Sequence, residues 1–284
     1  MPRTGVAHRY KALFIGLGAV ALLLIGAIAG SIVLLSGAYS TSATKQHFWI
    51  TYRILELGLR FAVAEEARDI AVPDLERTAN LEIGLACYRQ HCLQCHGAPG
   101  VAPGPLGRGQ LPSPSSLSQS AREWSAAELF FVVQKGIRMS GMPAWEYRMS
   151  TDALWSTVAF LKAVPLQTRA GYERLAMSNE VAVCPPADGE RPYSIEEARI
   201  TLRQYACDSC HTIEDMVGPK THVGPPLEQF HRRKYIAGVL PNTPENLVRW
   251  IMDPQEVSPH TLMPDLDVTE PHARTMTRYL LQHE

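Results

Sequence analysis

The chain reads as all-α, an N-terminal transmembrane helix followed by two tandem, compact helical domains. Three observations predict this. Residues 12–38 carry no charge. The order helix, C-x-x-C-H, Gly/Pro-rich loop, helix, Met-Pro, closing helix occurs twice. No stretch shows the apolar–polar alternation of a half-buried strand. With 284 residues, the length fits about two domains.

The uncharged stretch ALFIGLGAVALLLIGAIAGSIVLLSGA (12–38) follows Arg3, Arg9 and Lys11. A helix needs about 20 apolar residues to cross a bilayer, whereas the apolar part of a signal peptide runs about 7–15. The stretch is too long for the second. GAYS (37–40) also fits a small-residue cleavage site, so removal after export is the alternative reading. Basic residues ahead of the span place the N-terminus in the cytoplasm. Residues 1–40 are therefore expected to be the cytoplasmic N-terminus and single-pass anchor in a bacterial inner membrane. Everything after residue 40 then lies in the periplasm.

Residues 41–78 form a connection. HFW (47–49) suits the membrane interface. TYRILELGLRFAVAEEARDI (51–70) spaces Ile54, Leu57, Leu59, Phe61, Val63 and Ala64 as a helix does. Its periodicity fits two placements, on the membrane or against the first domain. Pro73 ends it or bends the chain.

The first domain, 79–168, opens with a helix near 79–91 that delivers CLQCHG (92–97). A Gly/Pro-rich loop with no helical or strand period follows. Ser125 and Glu128 then start a helix at about 125–136 as a capping box, and a last helix covers 151–163. Residues 169–187, with Pro185 and Pro186, read as a linker. The second domain, 188–284, repeats the order. A helix at 194–206 leads to CDSCHT (207–212) and then VGPPL (223–227). The next helix, 243–252, has Thr243 at its cap and Pro244 at its first position. A helix over 269–282 closes the chain.

Cys92, Cys95 and His96, and again Cys207, Cys210 and His211, have the spacing of a c-type haem attachment site. Two thiols three apart reach two vinyl groups on one edge of a haem, and the adjacent imidazole meets the iron from one face. A four-cysteine zinc site would bring its pairs together over roughly 15–20 residues; these pairs lie more than a hundred apart and share a histidine that zinc does not need. Two covalently bound haem c groups are expected.

In this order of elements the chain resembles the class I cytochromes c, as two tandem domains behind an anchor; the likeness covers about residues 79–284. The resemblance implies a methionine on each iron opposite the histidine. Met142 in GIRMSGMPAW and Met263 in TLMPDLDV stand where the family places it, each followed by proline. Met139 and Met149 are the rivals in the first domain, Met216 and Met252 in the second. The metal ligands are thus expected to be His96, Met142, His211 and Met263. Pro225 matches the position whose carbonyl accepts a bond from the proximal histidine, and Pro114 is its weaker counterpart in the first domain. Trp250, Arg138 and Arg249 resemble propionate partners, against a plain core or surface role. His91, on the wrong side of the attachment turn, is not a ligand.

Six cysteines less four thioethers leave Cys87 and Cys184. In an oxidising compartment they form a disulfide closing a loop of nearly a hundred residues, or they remain two separate buried thiols.

Filled axial positions leave one-electron transfer as the available chemistry, with no catalytic site of the chain's own. The expected function is a membrane-anchored dihaem cytochrome, with the cytochrome subunits of haem–copper terminal oxidases as the nearest style. Its partner would be a terminal oxidase, a quinol-oxidising complex or a dehydrogenase. The alternatives are the electron-accepting subunit of a periplasmic dehydrogenase and a dihaem cytochrome c peroxidase. A net charge of −1 speaks against nucleic acid. The charge is split: residues 79–168 hold seven Lys/Arg against five Asp/Glu, and residues 188–284 hold ten against fifteen.

Overall fold

The structure, a computed structural model, describes residues 4–178, 183–187, 193–219 and 223–282, with side chains from residue 13 onward except those of Thr78 and Ser178. Arg3, used above for topology, lies outside the described residues. The chain divides into two compact units, Met1–Ala187 and Asp188–Glu284.

The first unit begins with α1 (Thr4–Leu35). Within it Leu13–Leu35, 23 residues of mean hydropathy 2.6, has none of its surface buried by the protein. At 1.5 Å per residue these extend about 35 Å, enough for a hydrocarbon core of about 30 Å. After α2 (Trp49–Glu66) and the single turn α3 (Leu75–Thr78) comes α4 (Leu81–Cys87). It passes without a break through a π-helical turn, Tyr88–Cys92, into α5 (Leu93–His96). Two short helices, α6 (Pro105–Gly109) and α7 (Leu117–Glu123), occupy the loop expected to be irregular. They are too short for an apolar period to appear in the sequence. The helices α8 (Ala126–Lys135) and α9 (Thr151–Ala163) follow where the pattern places them, and the Ser125–Glu128 capping box is present.

The helix that delivers the attachment turn packs across the closing helix. Gly84 of α4 lies against the backbone carbonyl of Ser156 on α9, and a Cβ there would stand 2.9 Å from that of Phe160. Asn80 fixes the start of α4 by accepting from the amides of Glu82 and Ile83 at 2.9 and 3.1 Å, while its own amide bonds to Ser156 Oγ at 3.1 Å. Leu85, Tyr88, Phe130, Leu154, Val158 and Phe160 form the core around this crossing.

Of the segment read as a linker, 169–187, the described residues 169–178 and 183–187 belong to the first unit. Its helix α10 (Arg169–Ser178) buries Tyr172, and Arg89 bonds to the carbonyl of Ala176 at 3.0 Å. Cys184 is joined to Cys87 across 97 residues of chain, and both cysteines are buried. Of the two readings of the leftover cysteines, the disulfide is the one found.

In the second unit α11 (Ile195–Gln204) packs on α14 (Glu270–Gln282), with Ala198 and Ala273 wholly buried. The helix α12 (Pro244–Met252), capped by Thr243, also packs on α14 and leads into the short α13 (Pro254–Val257). No strand was expected, yet Tyr235–Ile236 and Leu240–Pro241 pair as an antiparallel hairpin. Ala237 and Gly238 turn it with φ of +49° and +76°, the positive values a tight hairpin turn requires. Two-residue strands are too short to show alternation.

Candidate functional site

The attachment turn of the first unit is held from both sides. The Tyr88 hydroxyl donates to the Gly97 carbonyl. Gly97 has φ +65°, and a Cβ on it would come within 2.5 Å of the Val101 carbonyl, so the turn leaving His96 needs glycine. His96 Nδ1 lies 2.9 Å from the carbonyl of Ser115. The partner is therefore the residue after Pro114, not Pro114 itself. Ser116 stands at the N-cap position of α7, and Ser120 Oγ of that helix donates back to Ser115 Oγ at 3.1 Å.

The second unit reaches the same arrangement by a different path. Its approach helix stops at Gln204, Ala206 turns left-handed at φ +55°, and a 3-10 turn covers Cys207–Ser209. His211 Nδ1 lies 2.7 Å from the Pro225 carbonyl, the contact the resemblance implies. Gly224 is pressed against the ring: a Cβ there would stand 2.6 Å from Nδ1.

These two contacts set the tautomer. A carbonyl can only accept, so Nδ1 carries the proton and Nε2 keeps its lone pair free for a metal. Burial lowers the His96 pKa below the usual histidine value, which keeps the ring neutral. Surrounding protein pushes the Cys92 thiol up to about 12 and the Cys207 thiol up to about 11. Both are neutral thiols at physiological pH, and Cys92, Cys95, Cys207 and Cys210 are all half-buried and unbridged.

Both Met-Pro loops use one local device. The Met142 amide donates to Ser140 Oγ at 3.1 Å, and the Met263 amide donates to Thr261 Oγ1 at 3.2 Å. The shared signal is [Ser/Thr]-x-Met-Pro, legible in the sequence but not used above. Each loop is then tied down by its own contacts. In the first unit the Met142 carbonyl accepts from Ile137 at 3.1 Å, and Gly136, at φ +68°, is so close that a Cβ would meet that carbonyl at 2.7 Å. Gln110 reaches from the attachment side: its Nε2 is 4.0 Å from Cys95 Sγ, and its amide lies against Gly141. The attachment turn and the Met142 loop thus meet through Gln110. In the second unit Gln255 Nε2 donates to the Met263 carbonyl at 2.7 Å, while its buried Oε1 has no protein partner. Sequence patterns did not single out Gln110, Gly136 or Gln255, because a lone Gln or Gly carries no periodic signal.

The rival methionines stand elsewhere. Met139 is 95% exposed and Met149 only 3%, the latter inside the first core. Met142, between these extremes, is half-buried. Met216, Met252 and Met263 all pack against the second core, so burial does not separate them. The hydroxyl turn singles out Met263. Trp250 is buried in that core, Arg249 pairs with Glu256 at 3.0 Å, and Arg138 is exposed. His91 packs tilted against Trp145, with ring centroids 4.5 Å apart.

A haem c fits this chemistry. Each turn offers two unbridged thiols three residues apart and an imidazole whose outward nitrogen is free. Gly107, where a Cβ would meet the Cys95 carbonyl at 2.5 Å, and Gly224 leave no room for larger residues against the attachment turns. Cys92 and Cys95 with His96 and Met142 are the residues that would hold such a group in the first unit, and Cys207 and Cys210 with His211 and Met263 are their counterparts in the second.

Fold and site in the first unit define a class, a helical c-type electron-transfer domain, and the comparisons agree. Residues 79–161 match the family of cytochrome c oxidase, cbb3-type, subunit III. Cytochrome c oxidase subunit 2 of Alkalihalophilus pseudofirmus is 34% identical over 85 residues, which is 30% of this chain and 24% of that protein. The protein of the same name from Bacillus sp. (strain PS3) is 32% identical over 80 residues, 27% of this chain and 22% of that one. The match thus spans about a quarter of the length of these curated relatives. A chain of the Kuenenia stuttgartiensis reducing HAO-like protein complex aligns over 98% of itself and 74% of this chain, at 17% identity and a TM-score of 0.27, too low to carry an argument. Residues 79–161 are a cytochrome c-type domain.

Proposed function

We propose that the protein is a membrane-anchored dihaem cytochrome c. It passes single electrons on the periplasmic face, as a subunit of a respiratory haem–copper oxidase or as a donor to one. The observation that carries this is the doubled histidine geometry: His96 on Ser115 and His211 on Pro225, each with Nδ1 committed to a carbonyl and Nε2 left free. The match of the first unit to an oxidase cytochrome subunit supports the choice of partner.

Haem c would supply a one-electron iron couple at each turn. The chain's own residues do the rest. The Ser115 and Pro225 carbonyls fix the ring planes and keep the proton on Nδ1, which raises the donor strength of Nε2. Ser140 with Gly136, and Thr261 with Gln255, hold the methionine backbones, so the thioether is presented without a search through loop conformations. Met142 and Met263 would each add a thioether to the imidazole as a ligand, which would raise the potential relative to two nitrogen ligands. With both ligands supplied by the chain, neither site would admit a substrate, which favours relay over peroxidase chemistry.

Extraction in mild detergent tests this. The protein should stay in carbonate-washed membranes and carry two haems per chain by alkaline pyridine assay. Mass spectrometry of the co-purified complex should find oxidase subunits. One haem per chain refutes the dihaem reading, and dehydrogenase subunits in their place reassign the partner.

A further inference from the structure

Helix α2 has two faces with different fates. One packs on the first unit: Val63 and the following Ala67 are buried, and Arg60 pairs with Glu123 at 2.7 Å and with Glu56 at 3.6 Å. The opposite face carries Ile50, Ile54, Leu57 and Phe61, an apolar stripe at helical spacing whose members are 56%, 62%, 51% and 75% exposed. Four large apolar side chains in one row are more than scattered surface residues.

We propose that this stripe lies in the headgroup–acyl boundary of the bilayer that α1 spans, so that α2 clamps the first unit to the membrane surface. The inference rests on the reading of α1 as a membrane anchor. Three observations select the bilayer as occupant. The connection folds back on itself: Tyr39, four residues past the end of α1, stacks on His47 at 6.1 Å and meets the Phe48 ring at 5.8 Å. The start of α2 therefore sits at the level where the span leaves the membrane. Phe48, Trp49 and Tyr52 cluster at that start, all exposed, and aromatic rings of this kind favour the membrane–water interface. Finally, the stripe ends in a charged pair, Glu65 with Arg68, and Arg53 and Arg60 lie off it. A helix with one apolar face and charged flanks, joined to a span by a short connection, is built to lie in the interface plane.

The consequence is directional. An anchor alone leaves the first unit free to tumble on its connection; α2 would hold one side of it toward the lipid. Electron entry and exit would then be confined to the remaining surface.

The test uses the full-length holoprotein in vesicles of phosphatidylcholine and phosphatidylglycerol. With four cysteines in thioethers and two in the disulfide, an introduced cysteine is the one reactive thiol. Nitroxide labels at Leu57→Cys and, as a second position, Ile54→Cys report the face; Val20→Cys reports the span and Arg77→Cys the solvent. Electron paramagnetic resonance of the ferrous protein measures collision with oxygen against a water-soluble nickel chelate. The oxygen-to-nickel ratio at Leu57 and Ile54 should exceed that at Arg77 several-fold and approach that at Val20. A high ratio at Val20 with solvent-like values at both α2 positions overturns the inference and leaves the anchor standing. Solvent-like values at Val20 as well sink the anchor reading first. Protection of the α2 labels from both reagents means that protein covers the stripe, and it overturns the inference too.

Discussion

The two units solve one problem with different amounts of structure. Beyond the order of their helices, what they share at the site is a C-x-x-C-H turn, a carbonyl on histidine Nδ1, and a hydroxyl accepting from the methionine amide two residues on. What differs lies around it. The first unit adds α2, α10 and a disulfide, and its approach helix runs through a π turn straight into the attachment turn. Among its described residues the second has no counterpart of these, and its approach helix ends just before a left-handed alanine.

The disulfide is where this contrast breaks most visibly. Replacing Cys87 and Cys184 together by serine should cost the first unit about 4–5 kcal/mol, since the bridge closes a loop of 97 residues. Amide hydrogen exchange should show the loss in residues of the first unit, with the second unchanged. Equal loss in both would mean that the units do not fold independently.

The helix crossings sharpen the contrast further. Gly84 has no room for a methyl group against the Ser156 carbonyl, whereas the second unit seats Ala198 and Ala273 at its own crossing. Gly84→Ala should destabilise the first unit by about 1–3 kcal/mol through overpacking. Ala198→Gly should destabilise the second by about 1 kcal/mol, from helix propensity. Chemical unfolding of each variant checks both.

Smaller effects separate the methionine loops. Gln255→Leu removes the donor to the Met263 carbonyl, and about 1 kcal/mol of loop stability goes with it. The far-red absorption of the second haem should then fade at lower denaturant while that of the first holds. In the first unit Gly136→Ala should do the reverse, because alanine at φ +68° and ψ −170° costs about 1–3 kcal/mol and meets the Met142 carbonyl. Smallest of all is the charge effect. If the acidic second unit meets a basic partner, electron exchange should slow as salt rises past about 0.1 M, where the screening length is about 10 Å. A rate independent of salt points to a permanently docked subunit.

Much of this was legible before the structure. The uncharged span, the caps at Ser125 and Thr243 and the major helices follow from charge, capping and period, and the structure has them within a few residues of those positions. The attachment cysteines and histidines are visible because their spacing is chemistry. The rest was not visible, for particular reasons. The helices α6 and α7 and the hairpin at 235–241 are shorter than any period. The bridge to Cys184 and the packing of Tyr172 draw 169–187 into the first unit, although its prolines read as a linker. Ser115 in place of Pro114 is a choice between neighbouring carbonyls, which only the start of α7 decides.

The central claim is that two His/Met sites sit on one chain, with Met142 and Met263 as the sulfur ligands. The most direct test is the far-red absorption of the oxidised protein compared among wild type, Met142→His, Met263→His and the double variant. The account predicts that each single variant loses about half of the band with one potential lowered, and that the double variant loses all of it. A single variant that abolishes the whole band, or a Met142→His protein that keeps it while Met139→Ala does not, would contradict the account.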